Sequence, residues 1–297
     1  MEKKTVSDAI RMNLSDPDTI VAAGELVNMR FMQGSSLSLR AAKLFCLLIQ
    51  EAGIEVTEDK QHSVPYSIIN ETFHKSRDEL VSAIEELHST SISVRVVEDG
   101  RKPYTKSGPI LCDVEREDED AIGAEIRFEF SPTLRRVIAN STHWAAVSRK
   151  AVLAFESKYS LRLYLFLSLR AGLRKTSETF TIDDLRDVFG IAPDKLTRWA
   201  DLRRFAIEPA IAEINHLAGF SSTYEPIKRG RRVNAVKLNW GIKAHDQRIE
   251  ALKELERSRT GRTARRQENT ETIAEQRRAI SEALASMTQP HLNPVSN

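Results

Sequence analysis

Residues 195–240 read KLTRWADLRRFAIEPAIAEINHLAGFSSTYEPIKRGRRVNAVKLNW. From Trp199 to Leu217 the apolar residues recur at helical spacing. Leu202, Phe205, Ala206, Ala210, Ile214 and Leu217 make one apolar arc, with Asp201, Arg204, Glu208 and Asn215 opposite. Gly219 breaks the pattern. Two extended runs follow, Tyr224–Ile227 and the alternating Val233, Ala235, Val236, Leu238 and Trp240, joined by Lys228-Arg229-Gly230-Arg231-Arg232. Four cations around one glycine repel one another unless an anion compensates them. A basic amphipathic helix followed by a basic hairpin is the DNA-binding half of a winged helix-turn-helix.

Within this unit the cations divide by position. Arg204 lies on the outward face, where an arginine can pair bidentately with guanine O6 and N7. Arg203 projects near the apolar arc of an ideal helix, so it serves DNA only if it sits in the first turn, where helices enter the groove, or if the helix bends. Pro209 supplies a reason for bending, because it has no N–H and clashes with the carbonyl of Phe205. Lys195 and Arg198 precede the helix, where phosphate contacts set the docking angle, and the Lys228–Arg232 turn is suited to tracking phosphates or a minor groove.

Charge supports this choice of segment. The 297 residues carry a formal net charge of +2. Residues 1–150 hold 19 Lys and Arg against 24 Asp and Glu, a net of −5, and residues 151–243 hold 16 against 10, a net of +6. The remaining 54 hold 9 against 8, a net of +1. Positive charge concentrated in one segment is what a polyanion partner requires.

Upstream, the elements of this unit have counterparts. Ser38 caps a helix over Leu39–Ala52 that Gly53 stops. After a short extended piece at His62–Tyr66 and a weak helix at Ser67–Phe73, Ser76 and Glu79 form a capping-box signal for a helix with Leu80, Val81, Ile84 and Leu87 on one face. Strands at Ile92–Glu98 and Ile110–Glu115 flank a loop, DGRKPYTKSG, and Ala124–Phe130 alternates as a third strand. The acidic run Glu115–Asp120 reads as a solvated loop. Ser131 caps Pro132–Asn140. A helix at Phe155–Ala171 is apolar nearly all round and therefore buried. Thr181 caps Ile182–Phe189, ending at Gly190.

The order helix, short helix, longer helix, strand, loop, strand thus occurs twice. The expectation is an α+β chain of two tandem winged helix-turn-helix domains. Residues 1–24 are expected to be an arm, 25–148 the first domain, 149–243 the second, and 244–297 a charged tail, helical at first and then disordered. In the acidic first domain only Arg77 and the loop cations Arg101, Lys102 and Lys106 offer themselves to DNA.

Other function classes find less support. There is no GxxxxGK[ST] phosphate loop and no HExxH, and the seven His are scattered without metal-ligand spacing. No metal, cofactor or enzymatic activity is expected. A nicking initiator needs a nucleophilic tyrosine beside a metal-binding His pair. Tyr159 and Tyr164 instead sit in the apolar helix with no histidine near them. No apolar run approaches the roughly 20 residues of a membrane span, and the N-terminus has no apolar signal core. Two distant cysteines, Cys46 and Cys112, fit a reduced, cytoplasmic protein.

The stretches FESKYSLRLYLFL, FTIDDLRDVFGI, KLTRWADLRRFAIEPAIAEIN and YEPIKRGRRVNAVKLNW, in this order over roughly residues 150–242, resemble the C-terminal winged helix of theta-type, iteron-binding plasmid replication initiators. The N-terminal half, from VNMRF to FEFSP, is similar in architecture. The resemblance implies a protein that binds repeated origin sites in double-stranded DNA as a monomer. It also implies an operator-bound homodimer that represses its own gene, and help in loading the host initiator and replicative helicase. By position it assigns Arg203 and Arg204 to recognition and Lys228–Arg232 to the wing, with Phe205 standing where members of the family are expected to tolerate a third basic residue. A winged-helix transcriptional repressor without initiator activity is the alternative.

Overall fold

The computed structural model describes residues 5–13, 15–27, 30–31, 36–73, 77–96, 100, 102–117 and 123–268. Residues 1–255 form one compact unit and 256–297 a second, described as far as residue 268.

The chain begins with α1 (Val6–Asn13), β1 (Thr19–Ala23), a single turn α2 (Gly24–Val27) and the short β2 (Arg30–Phe31). The first winged helix follows: α3 (Leu39–Ala52), a 3-10 turn, β3 (His62–Pro65), α4 (Tyr66–Phe73), α5 (Arg77–Ser89), β4 (Ser91–Val96), β5 (Tyr104–Pro109), β6 (Leu111–Arg116) and β7 (Glu125–Phe130). The Ser38 hydroxyl accepts from the Ala41 N–H to start α3. Strands β3, β7 and β6 make one antiparallel sheet and β2, β4 and β5 another. Along β7, Ile126, Phe128 and Phe130 are buried, as the alternation of that strand requires.

After α6 (Pro132–Asn140), β8 (Trp144–Ser148) and α7 (Arg149–Ala154) comes the second winged helix: α8 (Lys158–Ala171), β9 (Ser177–Thr181), α9 (Ile182–Phe189), α10 (Trp199–Leu202), a π turn at Arg203–Ile207, α11 (Glu208–Leu217), β10 (Phe220–Arg229) and β11 (Arg232–Ile242). Its sheet order is β10-β11-β9. Thr181 and Asp184 form a full capping box on α9, and Gly190 closes it in the left-handed conformation. In α8, Leu161, Leu163, Tyr164, Phe166, Leu167 and Leu169 are all buried, matching the all-round apolar pattern. The architecture is two tandem winged helices.

A two-stranded ribbon ties them together. Residues 1–24, expected to be an arm, contain α1, whose Val6, Ala9 and Ile10 are buried, and β1, which pairs antiparallel with β8. Successive β1 residues point to opposite faces. Val21 and Ala23 therefore enter the first core, while Ile20 enters the second. Asp18 fastens the ribbon to α7, accepting from the Ser148 hydroxyl at 2.8 Å and the Lys150 N–H at 2.8 Å. The buried Lys43 ammonium on α3 reaches the Leu153 carbonyl at 2.7 Å, and Arg149 pairs with Glu51 at 3.4 Å.

Two further expectations differ. The loop DGRKPYTKSG shortens, because Tyr104–Pro109 pairs with β4 as β5, which places Lys106 in a strand opposite Val94. The turn signal is confined to the Asp-Gly and Lys-Pro pairs at its start. In the tail, α12 (His245–Glu256) is not wholly exposed: Ala251 and Glu254 are buried, and Glu254 lies 3.4 Å from His216 of α11. Residues 269–297, expected to be disordered, lie outside the described residues.

Candidate nucleic-acid interface

The helix of the second winged helix is not regular. At its centre the Glu208 N–H reaches back five residues to the Arg203 carbonyl, which makes Arg203–Ile207 a π turn immediately before Pro209. A regular α-turn here would aim the Pro209 ring at the Phe205 carbonyl, and one extra residue in the turn relieves the clash. That residue changes which side chains face out. Leu202, Ala206, Ile207, Ala210, Ile211, Ile214 and Leu217 are buried. Arg203, Arg204 and Phe205 are all exposed.

This corrects the projection on two points. Arg203, placed near the apolar arc, is on the surface. Phe205, placed within that arc, is 52% exposed. Both follow from the wider turn, which rotates residues 203–205 away from the core as one step. Pro209 signalled a bend, but an ideal-helix projection has no way to show its direction.

The neighbours of these side chains set their electrostatics. The Arg203 guanidinium lies 3.5 Å from the Glu208 carboxylate, which also accepts a 2.8 Å hydrogen bond from the Tyr224 hydroxyl on β10. Burial and this carboxylate together push the Tyr224 phenol up to about 12, so it remains a donor. Glu208 thus joins the helix to the base of the wing and orients Arg203. Arg204 has no carboxylate partner among the described residues, and its guanidinium sits 5.3 Å from the Phe205 ring centre.

The wing is the β10–β11 hairpin. Arg229 pairs with Arg232 across the two-residue loop Gly230–Arg231. Gly230 has φ +64, the positive value such a turn needs and glycine supplies without strain. A bulge beside Lys228 twists the tip. Lys228, Arg229, Arg231 and Arg232 are all exposed, and none has an acidic partner within ion-pair distance among the described residues. Lower down, Lys237 lies 4.0 Å from Glu225.

Ahead of the helix, Lys195 is 3.2 Å from Asp194, and Arg198 makes a two-pronged contact with Asp201 at 2.6 and 3.2 Å. The loop carrying these cations is held by a residue the sequence did not single out. Arg186, buried in α9, donates to the carbonyls of Leu196 (2.7 Å), Ala192 (2.8 Å) and Pro193 (3.2 Å). Leu196 has φ +47, an unfavourable value for a branched side chain. An arginine among Leu185, Val188 and Phe189 was the available signal. At the far end of α11, the Lys243 ammonium donates at 2.7 Å to the carbonyls of Asn215 and Ala218, and burial pushes its pKa down to about 8. A cation on the last carbonyls also suits the helix dipole.

The first winged helix offers less positive surface. Arg77 opens α5, but its side chain and Arg101 lie outside the described residues. Lys102 is exposed and Lys106 half-buried. On α5, Asp78 and Glu85 point outward, and Arg40 is held at 2.6 Å by Glu79. No group of three His, Cys, Asp or Glu among the described residues is arranged to hold a metal ion, and none of their helices is long and apolar enough to cross a membrane.

Comparison with known proteins agrees with this architecture. No curated protein matches the chain. The solved Pi initiator protein in complex with iteron DNA is similar in fold, with a TM-score of 0.57 and 16% identity over 76% of this chain and 98% of that one. The WH1 domain of the MSBI1.176 replication protein matches 35% of this chain and 81% of its own length at 20% identity, with a TM-score of 0.27. The family model described as the initiator replication protein's WH1 domain matches residues 19–168, and that described as the initiator Rep protein's WH2 domain matches residues 181–240. With both winged helices matched in order, the chain belongs to the initiator replication protein family.

Proposed function

We propose that this protein starts plasmid replication by binding repeated origin sites, iterons, in double-stranded DNA through its second winged helix. The observation that carries the reading is the unneutralised wing, Lys228, Arg229, Arg231 and Arg232, standing beside the exposed Arg203 and Arg204 of one domain. The iteron-bound Pi initiator supports it by likeness of fold. In this reading Arg204 and Arg203 read base edges, the wing grips phosphate, and Lys195 and Arg198 fix the docking angle once phosphates displace their aspartates. The second domain is taken as residues 149–243.

The first domain, residues 25–148, is assigned to dimerisation and a secondary DNA contact through Arg77, Arg101, Lys102 and Lys106. Its outward carboxylates on α5 favour a weaker grip. A dimer represses the protein's own gene, and the origin-bound monomer assists host initiator and helicase loading. No enzymatic step is assigned to the chain. The test is replication of a minimal plasmid carrying only this gene and its upstream DNA, in a host supplying the other factors. Stable maintenance that requires the gene supports the reading. Failure to replicate, with the gene still repressing its promoter, leaves a repressor alone and overturns it.

A further inference from the structure

We propose that Phe205 reads thymine, packing its ring against the C5 methyl group in the major groove beside the base pair read by Arg204. The proposal rests on the DNA-binding reading above.

Phe205 is the one phenylalanine among the large apolar side chains exposed in the described residues, at 52% exposure, and neither apolar core includes it. It is not left over from a loop. The π turn that places it on the surface belongs to a buried-faced helix, and Phe205 lies between Leu202 and Ala206, both of which are fully covered. Beyond this turn the helix closes over quickly: Ala210, Ile211, Glu213, Ile214, His216 and Leu217 are buried. The exposed part of the helix is therefore short, and Phe205 stands in it with Arg203 and Arg204. Glu208 and Pro209 are exposed beside them, and within this surface the two arginines offer donors for guanine and the phenyl ring one apolar contact. Thymine alone presents a methyl group to the major groove.

Geometry limits where that thymine lies. The Arg204 guanidinium carbon is 5.3 Å from the ring centre, close enough for the cation to steady the ring. Successive base pairs are about 3.4 Å apart. The thymine therefore falls within about two base pairs of the guanine that Arg204 contacts.

The experiment compares duplexes of the gene's own upstream DNA prepared with thymine or with uracil, which differ only by the methyl group, against a shuffled duplex. The wild-type chain binds the uracil duplex at least about fourfold more weakly, the value of one buried carbon. Phe205→Ala binds both duplexes alike, at the affinity the wild type shows for uracil DNA, and keeps the wild-type salt dependence because the wing is intact. Phe205→Leu, which preserves an apolar side chain, retains part of the discrimination. Equal thymine preference in wild type and Phe205→Ala, with both still preferring the upstream duplex to the shuffled one, overturns this proposal alone. A wild type with no preference over shuffled DNA overturns the DNA reading and this proposal with it.

Discussion

Replacing Arg231 and Arg232 by alanine tests the wing through a quantity that depends on charge and not on fold. Both guanidinium groups are exposed, and among the described residues neither is neutralised by a carboxylate, so each is available to displace a condensed counterion. Lys237 and Arg203 are discounted, since Glu225 and Glu208 stand 4.0 and 3.5 Å away. Each phosphate contact contributes about 0.9 to the slope of log affinity against log salt, so the double variant lowers the slope by ~1.8. Over a fourfold rise in salt each contact loses about 3.5-fold in affinity, and the variant is therefore spared a loss of ~12-fold that the wild type suffers. Fluorescence anisotropy on one specific and one random duplex, each over a salt series, measures this directly. The same change of slope is expected on both, because phosphate contacts carry no sequence information. An unchanged slope, or a change confined to the specific duplex, refutes the assignment of the wing to phosphate.

Three further outcomes follow from the same geometry. Arg204→Ala costs about 1–3 kcal/mol on specific sites and little on random DNA; equal losses in gel shifts on the two count against base reading. Pro209→Ala restores an N–H and removes the cause of the π turn, so specific affinity falls while the thermal midpoint does not; unchanged binding separates the π turn from recognition. Gly190→Ala forces an L side chain into φ +61, at a cost of about 1–2 kcal/mol, and sets its Cβ 2.6 Å from the Ser36 Cβ and 2.9 Å from the Arg162 side chain. Its urea midpoint falls, and a wild-type midpoint refutes the close approach.

What was legible in the chain was what local chemistry dictates. Ser38, Ser131 and Thr181 cap the helices they precede, and Gly230 turns the wing. The cationic cluster stands at the tip because alternation in β11 buries Val236, Leu238 and Trp240 and leaves the turn outside. The packing of residues 1–24 was not legible. An eight-residue helix is marginal alone, and β1 exists because β8, more than a hundred residues later, pairs with it. The ideal-helix projection misplaced Arg203 and Phe205 for a related reason. A periodicity of 3.6 assumes every turn is regular, and one π turn moves three residues at once. Arg186 and Glu208 position the site through contacts to distant carbonyls and to Tyr224, which spacing along the chain does not encode.

The most direct test of the central claim is a competition gel shift of the full chain on its gene's own upstream DNA, with the Lys228→Ala, Arg229→Ala, Arg231→Ala, Arg232→Ala quadruple variant beside it. The wild type is expected to form discrete complexes on the upstream duplex that excess shuffled DNA does not displace, and the variant to lose them. Binding of upstream and shuffled DNA alike by the wild type, or discrete complexes that survive in the variant, contradicts the claim.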